Sequence, residues 1–361
     1  MKNRNKLPVL VLLLQFAASI NCAQADEVHN NKSKEFNTAE FIFDHVSDSY
    51  EWHILTVNHH HVSIPLPVIL FSQKTGLHVF LSNKFHHEQG VYKNFKIETE
   101  GKFKGKIVQL NENGMLDETN PLPYNFSITK NAFSILFTSV LLLVIFIGIA
   151  RMYMNNPDSA PKGLQNVFEP VIIFIRDEIA IPSIGEKRYI HFMPFLLTLF
   201  FFIWFSNLLG LVPLFPGGAN VTGNISVTMA LALFAFFTIN RHANRDYWKH
   251  IVSPPGIPVF LKLPIPIMPL VEFIGIFIKP FVLMVRLFAN ILAGHMVATV
   301  LLSLIFIFSS MIAWLGFAVA PISLVFLIFM SLIELLVALI QAYVFTLLTA
   351  LYIGMATEEH H

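Results

Sequence analysis

Residues 281–295, FVLMVRLFANILAGH, carry one arginine inside an apolar segment. They open a region, 281–352, that contains one Arg, one His and one Glu and no Lys or Asp. An apolar stretch of about 18 residues or more predicts a transmembrane helix, and this region is long enough for two. The few polar residues inside it are candidates for function, because polar groups are costly in a bilayer.

The composition of the whole chain is typical of a polytopic membrane protein. Of its 361 residues, 55% are hydrophobic and only 13% are charged, whereas soluble domains carry about 25% charged residues. The formal net charge of +1 gives no indication of a nucleic-acid partner. The single cysteine, Cys22, excludes a disulfide framework and a thiolate metal site within this sequence.

The first 25 residues have the features of a secretory signal peptide. A basic start precedes a short apolar core, PVLVLLLQFAAS, and the motif Ala23–Gln24–Ala25 fits the small-x-small rule for cleavage. We expect cleavage after Ala25, which places residue 26 outside the cytoplasm. An uncleaved anchor and a lipoprotein attached through Cys22 are the alternatives.

Residues 26–130 are polar and contain alternating runs such as GLHVFLS and FKIETEGKFKGKIVQL. Such alternation favours short strands, so we predict a small β-rich extracytoplasmic domain over 26–130, followed by a membrane domain over 131–361. The first domain is rich in histidine, which either binds a metal or forms a polar surface. These histidines are His53, His59, His60, His61, His78, His86 and His87.

Three apolar segments precede the long one: 132–150, 192–215 and 225–239. With two helices in 281–352 they predict an all-α membrane domain of about five spans. Basic residues cluster after residue 150 and again after residue 239, which indicates cytoplasmic loops and agrees with an exported N-terminus and a cytoplasmic C-terminus.

Two connecting segments have distinct patterns. VFEPVIIFIRDEIA (167–180) combines an apolar stripe with charged residues, and it either lies along the membrane surface or packs on the helix bundle. SPPGIPVFLKLPIPIMP (253–269) contains six prolines, so we predict a surface-lying connection and not a helix.

The turn signals inside 281–352 are weak and comprise Gly316 and Pro321. A break there gives two helices of about 36 residues, each about 54 Å long. The hydrocarbon core of a bilayer is about 30 Å thick. We therefore predict a long hairpin that is strongly tilted or protrudes from the membrane.

Helical periodicity assigns the polar residues to faces. Arg286 and Asn290 are four residues apart and share a face, whereas His295 is nine residues from Arg286 and points to the opposite one. On the second helix, Glu334 and Gln341 are seven residues apart and lie nearly on one face.

An antiparallel hairpin that turns near residue 314 places Arg286 level with Gln341, and His295 level with Glu334. We favour a titratable His295–Glu334 pair. Structural alternatives exist for the other polar residues: an arginine near a helix end often reaches the headgroups, and amide side chains can join helices by hydrogen bonds.

Four runs of this sequence together resemble subunit a of the F-type ATP synthase, the stator channel protein of its membrane sector. They are SNLLGLVP, TGNISVTMALALF, KPFVLMVRLFANILAGH and ELLVALIQAYVFTLLTALYIGMATEEH, in that order. The resemblance covers about residues 130–361. The long N-terminal domain departs from the family's usual short N-terminus.

The resemblance implies five membrane helices whose last two form a tilted hairpin against a rotor ring of c subunits. It implies further partners in the peripheral-stalk b subunits, a location in the bacterial inner membrane and proton translocation coupled to ATP synthesis. Arg286 matches the essential arginine of the family, and Asn290 and Gln341 match polar residues near it.

The same resemblance assigns a proton path. His295 and Glu334 match a pair that lines an aqueous half-channel, although in many members the acid comes first and the histidine second. Asn207 matches a position, often acidic or amide, on the outer proton path. The exchanged order still keeps a carboxylate and an imidazole at one site.

Two other classes of membrane protein fit less well. A secondary transporter shows internal repeats or discontinuous helices, and no repeat relates the halves of this sequence. A membrane metalloenzyme needs a motif such as HExxH, which the sequence lacks. It also lacks the GxxxxGK(S/T) nucleotide motif, so we expect a non-catalytic subunit without a cofactor.

Overall fold

The computed structural model describes residues 48–57, 60–87, 90–98, 101–111, 114–116, 122–155, 160–212, 215–252 and 267–358. The predicted signal peptide lies outside these residues. Contacts divide the chain into two units, and residues 209–219 and 303–323 group with the N-terminal region up to residue 137. The remaining membrane segments form the second unit.

The N-terminal region is β-rich, as predicted. Its strands form three small antiparallel sheets, ordered β1–β2, β4–β3–β8 and β5–β6–β7. The strands are β1 (Glu51–Val57), β2 (His60–Pro65), β3 (Pro67–Ser72), β4 (Gly76–Leu81), β5 (Val91–Tyr92), β6 (Phe95–Ile97), β7 (Ile107–Gln109) and β8 (Tyr124–Asn125), with a short helix α1 (Lys84–His87) after β4.

The core of this region forms because alternate residues of β3 turn inward. Val68 and Leu70 are both 0% exposed. They pack with Phe80, Phe85, Phe95 and Ile107 in one buried cluster. The two runs that predicted strands are observed as β4 and as the β6–β7 pair.

Five helices of the described residues are long and apolar enough to span a membrane, which confirms the predicted number. The first three are α2 (Lys130–Asn155), α5 (Tyr189–Leu211) and α6 (Ile225–His242). The predicted second span ran on to residue 215, but α5 ends at Leu211. The sequence PLFPGG follows, and its prolines and glycines do not favour a helix.

The segment between α2 and α5 is packed against the bundle. It consists of α3 (Leu164–Phe174), a π-helical turn over Ile175–Ala180 and α4 (Ile181–Ile184). Ile175 and Ile179 are 0% exposed and belong to the main membrane core, while Arg176 and Asp177 form an exposed ion pair of 2.7 Å. Of the two alternatives for 167–180, the contacts support packing on the bundle.

The last two helices are longer than predicted. After α7 (Arg245–Val252), helix α8 runs over Ile267–Met311 and α9 over Ala313–Thr357, with 45 residues each. At 1.5 Å per residue each is about 67 Å long. The prediction of two helices of about 36 residues within 281–352 was too short, because α8 begins at Ile267 and continues through Pro280.

Most of the proline-rich connection, residues 253–266, lies outside the described residues. Its last three residues begin α8, so the prediction was wrong there. Pro269 is the third residue of this helix, and a proline in the first turn removes no intrahelical hydrogen bond.

Contacts pair α8 with α9 at several levels. A Cβ added at Gly294 would lie 2.6 Å from Glu334 Oε1. One added at Gly316 would lie 2.7 Å from Ser309 Cβ. The sum of the two residue numbers is nearly the same for Gly294 and Glu334 as for Gly316 and Ser309. Two antiparallel helices require this relation.

Candidate functional site

Arg286 and Asn290 lie on an exposed face of α8, as periodicity predicted. On the adjoining flank of the helix, Leu283 and Leu287 are each 1% exposed and belong to the membrane core. Within the part of the chain that the structure describes, the Arg286 guanidinium makes no hydrogen bond and no ion pair. Among the described residues, a membrane helix thus presents a cation without a counter-ion.

Glu334 lies against Gly294, the residue that precedes His295. Besides the 2.6 Å approach of Oε1, a Cβ at Gly294 would lie 3.2 Å from Glu334 Cγ. A side chain at position 294 would displace the carboxylate from this position. The side chain of His295 is half-buried on the same turn. The contact agrees with the predicted register of the two helices to within one residue.

The side chain of Glu334 is half-buried. Its Oε1 is buried and accepts no hydrogen bond from any residue that the structure describes. A buried polar atom without a partner costs free energy, and such atoms occur where a water, an ion or a reaction uses them. The position is therefore suited to taking up a proton or binding a water.

Gln341 is buried, with 6% exposure. Its neighbours along α9, Ala338 and Ala342, are 1% and 0% exposed. No hydrogen bond joins Gln341 to Arg286 among the described residues. The side chain of Gln341 is buried, whereas that of Arg286 is exposed. That the two lie level remains a prediction.

Asn207 joins three segments in the core. It is 4% exposed, and its Nδ2 donates to the Ala338 carbonyl of α9 at 3.3 Å. Its Oδ1 accepts a hydrogen bond from the Thr222 hydroxyl, in the loop before α6. Ala338 is four residues, or one helical turn, beyond Glu334. The amide therefore lies one turn of α9 away from the carboxylate.

Thr222 was not identified as a site residue from the sequence, nor was Gly294. Thr222 is 1% exposed, and Ser206 beside Asn207 has a buried hydroxyl without a partner among the described residues. The polar stretch TGN before an apolar helix was the available signal for Thr222. No sequence signal distinguishes Gly294 from an ordinary helix glycine.

The C-terminal end of α9 is held by two loops. Asn244 donates from its backbone nitrogen to the Ala356 carbonyl at 2.9 Å and from Nδ2 to the Thr357 carbonyl at 2.7 Å. The Arg188 guanidinium also donates to the Thr357 carbonyl. These bonds satisfy carbonyls that a helix end leaves free and fix the axial position of α9.

The histidine-rich part of the N-terminal region gives little evidence for a metal. Of the seven histidines, the structure describes the side chain of His78 alone. Its Nε2 lies 2.8 Å from the Thr75 hydroxyl, and its ring packs on Phe95. No group of three or more metal-ligating side chains occurs among the described residues. The choice between metal site and polar surface stays open.

Five candidate spans among the described residues are typical of a polytopic membrane protein. A family model described as ATP synthase A chain matches residues 132–354. A second model, described as a domain of unknown function, matches residues 41–126. The chain therefore belongs to the ATP synthase A chain family.

Curated relatives carry the same description. ATP synthase subunit a of Chloroherpeton thalassium is 42% identical over 245 residues, which cover 66% of this chain and 69% of the relative. That of Myxococcus xanthus is 42% identical over 244 residues, 66% of this chain and 75% of the relative. For Anaeromyxobacter dehalogenans the figures are 42% over 237 residues, 64% and 58%.

Proposed function

We propose that this chain is the membrane stator subunit of a proton-translocating F-type ATP synthase, with two offset half-channels to and from a rotating ring of c subunits. Family membership supports the subunit assignment. The observation that carries the channel proposal is Arg286, an exposed guanidinium on a membrane helix with no counter-ion among the described residues.

Arg286 separates the two half-channels. An arginine keeps its proton in any protein, so it cannot relay protons. Its positive charge attracts an ionised carboxylate on the ring and repels a proton that approaches along the direct route. A bare cation in hydrocarbon is costly, and pairing with the anion of a neighbouring subunit removes that cost.

The outer half-channel runs past Asn207, Glu334 and His295. Asn207 is buried and hydrogen-bonded on both sides of its amide, while Glu334 has a buried oxygen without a partner among the described residues. The carboxylate takes up a proton from water, and His295 on the adjacent turn passes it to the ring. The supporting polar residues near the arginine are Asn290, on the same face of α8, and Gln341, on α9.

Rotation follows from the charge of the ring site. A protonated carboxyl is neutral and can face lipid, whereas the ionised form costs several kcal/mol there. After nearly a full turn the site meets the inner half-channel, loses its proton and pairs with Arg286. One proton that crosses 100 mV supplies about 2.3 kcal/mol, so several protons are needed for each ATP.

The proposal includes an assembly and an orientation. The helices α8 and α9, about 67 Å long, form a strongly tilted hairpin against the c-ring, since upright spans would exceed the bilayer. The peripheral-stalk b subunits and the rest of the synthase are the other partners. The membrane is a bacterial inner membrane, with the N-terminal domain outside the cytoplasm and the C-terminus inside.

Replacing the arginine tests the proposal. Arg286→Ala should abolish ATP-driven acidification of inverted membrane vesicles, followed with a pH-sensitive dye. Arg286→Lys should fail largely as well, because an ammonium lacks the planar fork of a guanidinium. Arg176→Ala, which removes an exposed arginine paired with its neighbour Asp177, is the matched control and should pump normally. Coupled ATP synthesis by Arg286→Ala would contradict the proposal.

A further inference from the structure

The sheet β4–β3–β8 of the N-terminal region has one face in the core and one face bare. Val68, Leu70 and Ser72 point inward and are at most 2% exposed. The residues of the opposite side are large, apolar and exposed, and we call them the apolar sheet face. They are Phe71 (43%), Leu77 (64%), Val79 (61%), Leu81 (47%), Tyr124 (57%) and Phe126 (68%).

Strand register makes this face continuous. Phe71 lies opposite Leu77 on one side and opposite Tyr124 on the other. In the next row Val79 pairs with Ile69, whose carbonyl accepts a hydrogen bond from the Phe126 nitrogen at 2.9 Å. Soluble monomers rarely expose a contiguous apolar patch of this extent, so a partner for it is expected.

The face is held close to a membrane helix. Beyond Phe126, the Ile128 nitrogen donates to the Pro67 carbonyl at 3.0 Å, and the Lys130 nitrogen donates to the Ser49 carbonyl at 2.9 Å. Helix α2, which is a candidate membrane span, begins at Lys130. Three residues separate Phe126 from this helix, a distance of about 10–13 Å at full extension. The sheet therefore lies at the level where the bilayer begins.

A second contact ties the same region to another span. Trp52 of β1 packs on Phe133 of α2 at 5.7 Å between ring centroids, and on Phe215 at 5.3 Å. Phe133 and Phe215 are themselves 5.5 Å apart. Phe215 follows the end of α5, which is also a candidate span. Residues of two candidate spans or their ends thus adjoin β1 of the same N-terminal region.

We propose that the apolar sheet face lies against the surface of the lipid bilayer. Lipid is the partner that two adjoining spans necessarily bring to this site. Tyrosine is enriched at the membrane–water boundary, and this face carries Tyr124 beside the apolar rings of Phe71 and Phe126. Apolar side chains with a tyrosine among them suit the boundary between headgroups and acyl chains. The inference rests on α2 as a span and not on the proposed proton path.

Depth-dependent fluorescence tests the inference in the assembled synthase. Because Cys22 is the only cysteine of this chain, a Cys22→Ser background accepts single cysteines at chosen positions. Val79→Cys and Leu77→Cys place a label on the apolar sheet face, and Lys106→Cys, exposed beside β7, is the control. Both test positions are more than 60% exposed, so the substitutions leave the core intact.

Each label is quenched in lipid vesicles, first by spin labels attached to lipid and then by aqueous iodide. We expect lipid spin labels to quench positions 77 and 79 at least about threefold more than position 106, and iodide to show the reverse order. Equal iodide quenching at all three positions would place the face in water and overturn the proposal. Protection of positions 77 and 79 from both quenchers would identify a protein partner and overturn it as well.

Discussion

Arg286 and Glu334 are the one arginine and the one glutamate of the region 281–352, and their surroundings differ. Arg286 is exposed and has no partner among the described residues. The buried Oε1 of Glu334 faces Gly294 of α8. Glu334 itself lies one turn of α9 before Ala338, whose carbonyl accepts a hydrogen bond from Asn207. An exposed charge on a membrane helix indicates a partner outside the chain, whereas a buried one indicates a path or a contact within it.

Among the variants that follow, the largest effect is expected at the pair His295 and Glu334. Replacing either member of the pair, as in His295→Glu or Glu334→His, should reduce proton transport by more than about tenfold, since two like groups then replace the pair of an acid and an imidazole. The double exchange should retain more activity than either single change. ATP-driven proton uptake by vesicles measures all three. Equal loss in all three variants would argue against contact between the two positions.

A smaller effect is expected at Gly294. In Gly294→Ala the added Cβ would meet Glu334 Oε1 at 2.6 Å, so the carboxylate must shift. We expect proton transport to fall severalfold because the carboxylate is displaced, with little change in stability because alanine is the better helix former.

Gly275→Ala provides the control in the same helix, because no atom lies within 4 Å of its added Cβ. Alanine is the better helix former, so this variant should be neutral or slightly stabilised. If both variants pump like the wild type, Glu334 does not work from the position that the structure shows.

The smallest effect is expected at Thr222. Thr222→Val keeps the shape of the side chain but removes the hydroxyl that donates to Asn207. We expect about 1 kcal/mol of destabilisation and a modest decrease in proton transport. Thr238→Val is the control, because that exposed hydroxyl donates only to the Phe234 carbonyl of its own helix. Thermal unfolding in detergent compares the two, and equal melting temperatures would exclude a role for the Thr222 bond.

The number and order of the membrane helices could be predicted from the sequence. In lipid every backbone group must be paired, so a long apolar segment has few alternatives to a helix. The start of α8 was missed for a physical reason: Glu272, Lys279 and Pro280 resemble a boundary in sequence. In the structure α8 continues through this polar turn. The Lys279 ammonium packs there on the Tyr352 ring, 5.2 Å from its centroid.

The candidate site was only partly predictable. Periodicity identified the face of Arg286 and Asn290, and the antiparallel register brought Glu334 to within one residue of its observed contact. Neither rule reports contacts between distant segments, so the hydrogen bond from Thr222 to Asn207 and the loop bonds to Thr357 were not found. The π-helical turn at Ile175–Ala180 has no sequence signal that we recognise.

The central claim is that the exposed face around Arg286 meets the c-ring. Disulfide crosslinking in the assembled synthase tests it directly, with Asn290→Cys in the Cys22→Ser background and a cysteine beside the ring carboxylate. Leu143→Cys, 60% exposed on α2, is the control. We predict a rapid crosslink from position 290 and none from position 143. Absence of a crosslink from 290 in a synthase that still hydrolyses ATP would contradict the account.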